Sequence, residues 1–463
     1  MEFSQREENN NFSVSKFESM LKTNSVHFFD SNEFEHIINH YLEIGKINLA
    51  KKAVKMGLNQ HPTSTNLKLY KVEILIFENK LSKADVILTE LYALEPKNEE
   101  IYIQKANIFS KSDEHYKAID TLKIAIDLSG DNEVSDLHAL IGMEYLFLDQ
   151  FDNARIYFSK CLELDPTDYT SLYNIIYCYD FIDDNIGAIN FLNKYLDANP
   201  YCEVAWHQLG KQYFSIKAYK KSLASFDFAI ISDDTFIGAY IEKGKVLEKL
   251  GRYNEAIENY NITLSLDDPT SFALLRIGVC HEKMGEKELA LKYYYQTVHE
   301  DPLLDKGWIA ITKFYNKNRN YRKALYYIKK AIGIDKDNVV YWKLYAQINK
   351  RLNFLEEAER GYKRTLELGN YELDTWISRA DILIELGEYE AAIINLDQAS
   401  EFYPENEEIE YRLSGCYFSI SQSDKAIYHL KNAKKLNKDY HFILNELFPK
   451  IANRKLIQNI LAF

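Results

Sequence analysis

Few side chains in this sequence are spaced for chemistry. His36 and His40 stand four residues apart with Glu43 close behind, which would set two imidazoles and a carboxylate on one helical face, as a divalent metal requires. The HExxH order is missing, however, and no further ligand lies near. Cys178, Cys280 and Cys416 could act as nucleophiles if a base or a positive field made them thiolates. With Cys161 and Cys202 they make five cysteines, an odd number without CxxC spacing, so neither a disulfide framework nor a zinc knuckle is expected. The carboxylate pairs Asp233-Asp234 and Asp267-Asp268 could share general acid and base roles, but they sit at junctions between apolar stretches, where Asp ordinarily caps helix starts. No glycine-rich phosphate loop is present. The expectation is a chain that is not an enzyme and takes no cofactor and no metal.

What remains is binding, and the residues that could do it make sense only once the elements that carry them are placed. A small residue recurs at Ala50, Ala84, Ala118, Ala154, Ala188, Ser222, Ala256, Ala290, Ala324, Ala358, Ala392 and Ala426; the spacing is 34 residues except for 36 between Ala118 and Ala154. Twelve residues after it stands proline at Pro62, Pro96, Pro166, Pro200, Pro302 and Pro404, six of the 8 in the chain. Sixteen residues before it lie all 4 tryptophans, Trp206, Trp308, Trp342 and Trp376, with Phe34, Tyr102 and Tyr240 at the same phase. Gly142, Gly210, Gly244 and Gly278 follow four positions after the aromatic site.

Within a period, Tyr253, Ala256, Ile257, Tyr260 and Leu264 follow i, i+3, i+4, i+7 spacing, an apolar stripe on one helix face. The preceding segment, Tyr240 to Leu250, ends at Gly251, which can take the left-handed conformation that stops a helix. Each period therefore predicts two antiparallel helices of about 14 residues, too short to bury their stripes except by stacking on the next pair. The two extra residues of the longer interval are placed in the loop Ser129-Gly130-Asp131-Asn132-Glu133.

These phases resemble the tetratricopeptide repeat family. One repeat reads Trp206, Leu209-Gly210, Tyr213, Ser222, Phe226 and Ala229, with Asp234 in the family's proline place; another reads Trp308, Ile311-Thr312, Tyr315, Ala324, Ile328 and Ala331, with Lys336 there. The resemblance implies an all-α fold, a right-handed superhelical α-solenoid of antiparallel helix pairs. Its expected organisation is a polar tail and short lead-in helix over residues 1–30, twelve repeats over 31–440, and a capping or docking helical segment over 441–463.

The resemblance also implies a working surface, because the first helix of each pair lines the concave side of such arrays. Its inward positions carry Lys211, Lys245, Lys249, Lys283, Lys306, Lys313, Lys317, Lys343, Lys350 and Arg351 against only Glu248 and Glu282 in the sixth to tenth periods. Earlier periods hold Glu35, Glu43, Glu73, Glu100, Asp136 and Asp180 there, with Lys111 the one base; the last two hold Asp374, Asp381, Glu385 and Glu408. Phe147, Tyr173, Tyr177, Phe181 and Phe214 are candidate apolar anchors beside the basic zone. The expected ligand is a protein or peptide, an acidic segment with apolar anchors, lying along that zone. The family's clamp for a chaperone's terminal carboxylate needs Lys and Asn at successive inward positions; here Lys343 is followed by Gln347, Ser378 and Glu408, so that ligand is not expected.

Composition bounds the alternatives. Lys plus Arg number 56 against 69 Asp plus Glu, a net charge of -13, which disfavours general binding to nucleic acid or anionic membrane. Neither an export signal nor an apolar run of about 20 residues is visible, so a cytoplasmic protein without a membrane span is expected. Two other functions stay open: a regulatory subunit of a cytoplasmic enzyme or envelope-associated machine, docked through Ile451 to Phe463, and, less favoured, an RNA-binding helical repeat protein.

Overall fold

The computed structural model describes residues 13–22, 27–130, 134–266, 270–454, 457–458 and 460. The expected polar tail (1–12), Asp131 to Glu133 of the longer interval, and the pair Asp267-Asp268 lie outside the described residues. Among the described residues the chain is all helix and turn, and it divides into two compact units, Met1–Ser232 and Asp233–Phe463.

Each unit is a tandem stack of helix pairs. In the first, the pairs run from Ser31–Glu43 with Ile47–Gln60 to Glu203–Ser215 with Tyr219–Ser232; in the second, from Ile237–Lys249 with Tyr253–Ser265 to Glu407–Ser419 with Ser423–Leu436. The pairs are tight because all twelve recurrent small residues have 0% exposure. A methyl group or hydroxymethyl there lets the second helix lie close on the first, and a larger side chain would overpack the contact.

The glycine phase supplies the matching notch. A Cβ built on Gly142 would stand 2.7 Å from the Phe158 ring, on Gly210 2.5 Å from Phe226, on Gly244 2.6 Å from Tyr260 and on Gly278 2.7 Å from Tyr294. The aromatic of the second helix thus occupies the space that glycine leaves on the first. In the sixth pair, where serine replaces the small residue, Ser222 Oγ donates to the Gly210 carbonyl at 2.8 Å, which satisfies a buried hydroxyl.

Every turn inside a pair is made the same way. Five residues before the small residue the backbone is left-handed, with φ from 54° at Asp183 to 86° at Gly285. The next N–H then reaches back five residues, as in Arg252 N to Leu247 O at 2.9 Å and Asn320 N to Tyr315 O at 2.9 Å, capping carbonyls that the first helix leaves open. Gly251 is there as expected, at φ 73°, and Asn79, Asp113, Asp149, Asp183 and Asn353 are the residues that tolerate this region best after glycine. Lys217, Arg319 and Ser421 also adopt it, at 61°, 58° and 63°, with no such tolerance.

Between pairs, the proline-phase residue works through its carbonyl. Trp206 Nε1 donates to Pro200 O at 2.8 Å, Trp308 Nε1 to Pro302 O at 2.9 Å and Trp342 Nε1 to Lys336 O at 2.8 Å, while the hydroxyls of Tyr102 and Tyr240 do the same to Pro96 and Asp234. In these five pairs a ring that carries a donor ties the first helix to the turn before it. Trp376 departs from this: its indole nitrogen is buried without a partner, and its ring stacks with Tyr371 and Phe402.

Both ends are covered. Phe17, Met20 and Phe29 join Phe34, Ile37 and Tyr41 in one buried cluster at the first pair. After the last pair, Phe442–Leu447 and Pro449–Ala452 fold back so that Ile443, Leu444, Phe448, Ile451 and Ala452 are buried with the Glu407–Ser419 helix. Phe448 fills the notch at Gly415, as a second-helix aromatic does elsewhere.

Candidate functional site

The residues with catalytic potential take structural places. All five cysteines are buried, and burial pushes the Cys178 thiol up to about 11 and those of Cys280 and Cys416 up to about 12, far from the thiolate that a nucleophile needs. Asp233 accepts from Thr235 N at 2.9 Å and from Thr235 Oγ1 at 2.7 Å, so it braces the junction turn. It does not cap the following helix as expected: that helix starts at Ile237, and its cap, Phe236, has no side-chain bond to it. Asp165 and Asp301 make the same turn at their junctions. His36 is exposed on its helix, and among the described residues no group of three or more His, Cys, Asp or Glu is placed to hold a metal ion.

The inward charges of the second unit sort into two sets. In the first set, Lys245 pairs with Glu242 at 2.6 Å, Lys317 with Glu282 at 3.2 Å, and Lys343 with Glu372 at 2.7 Å and Asp374 at 3.3 Å. Burial works against the charge on Lys343, but its two carboxylate partners win and hold its pKa above the ordinary lysine value. These three already have carboxylate partners inside the unit. The second set, Lys306, Lys313 and Lys350 together with Lys249, Lys283 and Arg351, makes no ion pair among the described residues; Lys350 is half-buried and the others are exposed. Lys306 and Lys313 lie seven residues apart on Asp305–Lys317, hence on one face, and Lys350 is near the end of the next first helix, Val339–Arg351.

The acids expected among these bases are occupied too. Glu248 accepts from the Tyr260 hydroxyl at 2.7 Å and pairs with Arg276, and Glu282 accepts from the Tyr294 hydroxyl at 2.8 Å besides holding Lys317. Asp381, expected on the open surface, instead pairs at 2.6 Å with Arg412, which is 3% exposed. The Asp381–Arg412 pair links the last two first helices, and the Arg412 guanidinium also donates to the Glu408 carbonyl of its own helix at 3.0 Å. Nothing local in the sequence marks that pair, because its members are 31 residues apart.

In the first unit, Tyr173 and Tyr177 are on Tyr169–Phe181 and both are exposed, Lys211 is exposed on Glu203–Ser215, and Phe214 on that helix is half-buried against Tyr219. Phe181 is 59% exposed although it stacks on Phe151 at 4.6 Å, and Phe147 is 58% exposed while stacking on His115. These rings form a run of apolar surface on successive first helices, Val134–Phe147 and Tyr169–Phe181. The same unit holds a cavity of about 280 Å³ walled by Glu35, Glu73 and Glu100, which the sequence had marked only as an acidic contrast to the basic zone.

Comparison with known proteins bears on this arrangement. A tetratricopeptide repeat model matches residues 135–168 and 373–406, and a second matches residues 241–304. None of the curated proteins matches the chain in sequence. Among solved structures, the Cut9–Hcn1 hetero-tetramer of the APC/C is similar at 13% identity and TM-score 0.38, over 90% of this chain and 94% of that one. A tetratricopeptide repeat protein from Parabacteroides merdae is similar at 18% identity and TM-score 0.39, over 54% and 98%. The MamA protein is similar at 25% identity and TM-score 0.32, over 37% and 93%.

Proposed function

Since the chain is a tetratricopeptide-repeat protein, we propose that it is a non-catalytic scaffold, and that its second unit receives an acidic protein segment on Lys306, Lys313 and Lys350. The observation that carries this reading is the sorting of the second unit's lysines. Lys245, Lys317 and Lys343 already have carboxylates, whereas these three have none among the described residues. A surface that met all its own charge would have nothing to offer a charged partner; here the surplus is local and positive on a chain whose total is -13.

Because Lys306 and Lys313 are exposed, association should weaken with salt, whose screening length is about 8 Å at physiological ionic strength. The test is co-purification of the partner with the full chain and with Lys306→Glu/Lys313→Glu/Lys350→Glu. Loss of the partner from a variant whose thermal midpoint is unchanged is the expected outcome. Undiminished recovery would remove the acidic-segment reading.

A second reading, a regulatory subunit held through the C-terminal segment, finds less support. The apolar residues Ile443, Leu444, Phe448 and Ile451 of that segment are buried against its own unit, which leaves them nothing to offer a partner in this state. No helix among the described residues is long and apolar enough to cross a membrane.

A further inference from the structure

The first unit carries a pocket of the opposite sign. Glu35 on Ser31–Glu43, Glu73 on Thr65–Phe77 and Glu100 on Glu99–Lys111 come from three successive first helices, yet they wall one cavity of about 280 Å³ together with Asn66, Tyr70 and Gln104. Asn66 holds one of the carboxylates in place, donating from Nδ2 to Glu35 Oε1 at 3.1 Å. Glu73 has no hydrogen-bond or ion-pair partner among the described residues, and burial first and the Glu100 charge second raise its carboxyl above the ordinary glutamate value.

Three carboxylates alone would be only a solvated acidic patch. The independent sign is Gln104, which is 7% exposed: its Nε2 donates to Glu100 Oε1 at 2.7 Å, but its carbonyl oxygen is buried with no donor. A buried acceptor without a partner is uncommon in a folded protein, and this one belongs to a side chain that lines the acidic cavity. A guest that brings donors as well as positive charge would satisfy the carboxylates, and would reach the amide oxygen, now closed to solvent, once Gln104 turns toward the cavity.

That guest is not a bare metal ion, because among the described residues no three such carboxylates stand close enough to share one. Acceptors spread around a cavity suit a planar group with five diverging N–H donors, the guanidinium of arginine, better than the compact ammonium of lysine. A second cavity of about 290 Å³ adjoins the first through Glu73 and Gln104, which line both; it adds Leu42, Ile74, Ile76 and the 64% exposed Phe77, with Lys111 also on its wall. We propose that these two cavities dock a partner protein's segment in which an arginine enters the acidic pocket and an adjacent apolar side chain lies against Phe77. The segment is opposite in charge to the one assigned to the second unit, so this site would let one chain hold two different partners.

The test uses the full chain and a minimal probe, N-acetyl-arginyl-leucine amide, followed by saturation-transfer NMR against the same probe with citrulline, which keeps the shape and lacks the charge. The arginine probe should bind about tenfold or more tightly than the citrulline probe, the usual advantage of a charge-assisted contact. Glu73→Gln/Glu100→Gln should abolish that preference. Phe77→Ser, at a 64% exposed position, should weaken both probes together and leave the thermal midpoint unchanged. Gln104→Leu should weaken the arginine probe more than its lysine counterpart. Lys306→Glu/Lys313→Glu/Lys350→Glu should leave arginine binding intact, which separates this site from the one in the second unit. Equal binding of arginine and citrulline, no binding of either, or indifference to Glu73→Gln/Glu100→Gln would each overturn the proposal.

Discussion

Seven residues before the recurrent small residue, the second to fifth pairs, in the first unit, carry Phe77, Lys111, Phe147 and Phe181, and the seventh to tenth, in the second, carry Lys249, Lys283, Lys317 and Arg351, while Glu43, Ser215, Glu385 and Ser419 stand at this phase in the remaining pairs. All eight are exposed near the ends of first helices. The twelve small residues, by contrast, are buried in both units alike, and the left-handed turn follows each first helix in both. The lesson is a division of labour within one period: positions that meet the neighbouring helix are held to a narrow set of shapes, while positions that meet solvent are free to differ and so can hold function.

That comparison can be broken most severely where a charge has been drawn into the stack of one unit only. Asp381→Ala leaves the buried Arg412 guanidinium with no carboxylate nearer than that of Glu408 at 4.0 Å, besides the Glu408 carbonyl at 3.0 Å, and should cost up to about 3–5 kcal/mol. Denaturant melts should show the loss, and no base-to-acid change on the open surface should match it. If Asp381→Ala costs less than about 1 kcal/mol, the pair is not a structural link.

The shared backbone logic is tested by a matched pair of substitutions. Gly210→Ala in the first unit and Gly244→Ala in the second place a Cβ against the rings of Phe226 and Tyr260, at 2.5 and 2.6 Å before relaxation. Each should destabilise by about 1–3 kcal/mol, and the two should agree. A large effect in one and none in the other would mean that the units do not use the same notch.

The smallest expected effects come from the turns. Lys217 in the first unit and Arg319 in the second hold positive φ where a side chain is strained, so Lys217→Gly and Arg319→Gly should each stabilise slightly, by at most about 1 kcal/mol after the added freedom of the unfolded chain is subtracted. Gly251→Ala, the reverse change at the same phase, should destabilise. A thermal shift series on the three variants reads both signs.

Much of the fold was legible because the repeat writes the same constraint many times. A single alanine says little, but twelve small residues at one phase specify a helix contact, and Gly210 with Phe226 or Gly244 with Tyr260 specify its depth. The turn was only partly legible: Gly251 and Asn353 announce a left-handed residue, whereas Lys217, Arg319 and Ser421 adopt it because both flanking helices are already fixed by packing. The candidate site was least legible. Lys245 and Lys313 occupy the same inward phase and read alike, yet one is paired with Glu242 and the other is exposed without an ion pair among the described residues.

By itself, then, the sequence determined the helix pairs and their recurrent small contact residues, since these follow from side-chain size and period along one chain. Only the tertiary structure decided which outward charges are still available. Lys343 with Glu372, Arg412 with Asp381, and the shared cavity of Glu35, Glu73 and Glu100 join residues 27 or more positions apart in neighbouring pairs. Electrostatic neutralisation depends on distance in space, and a periodic sequence does not show which of two identical lysines a carboxylate will reach.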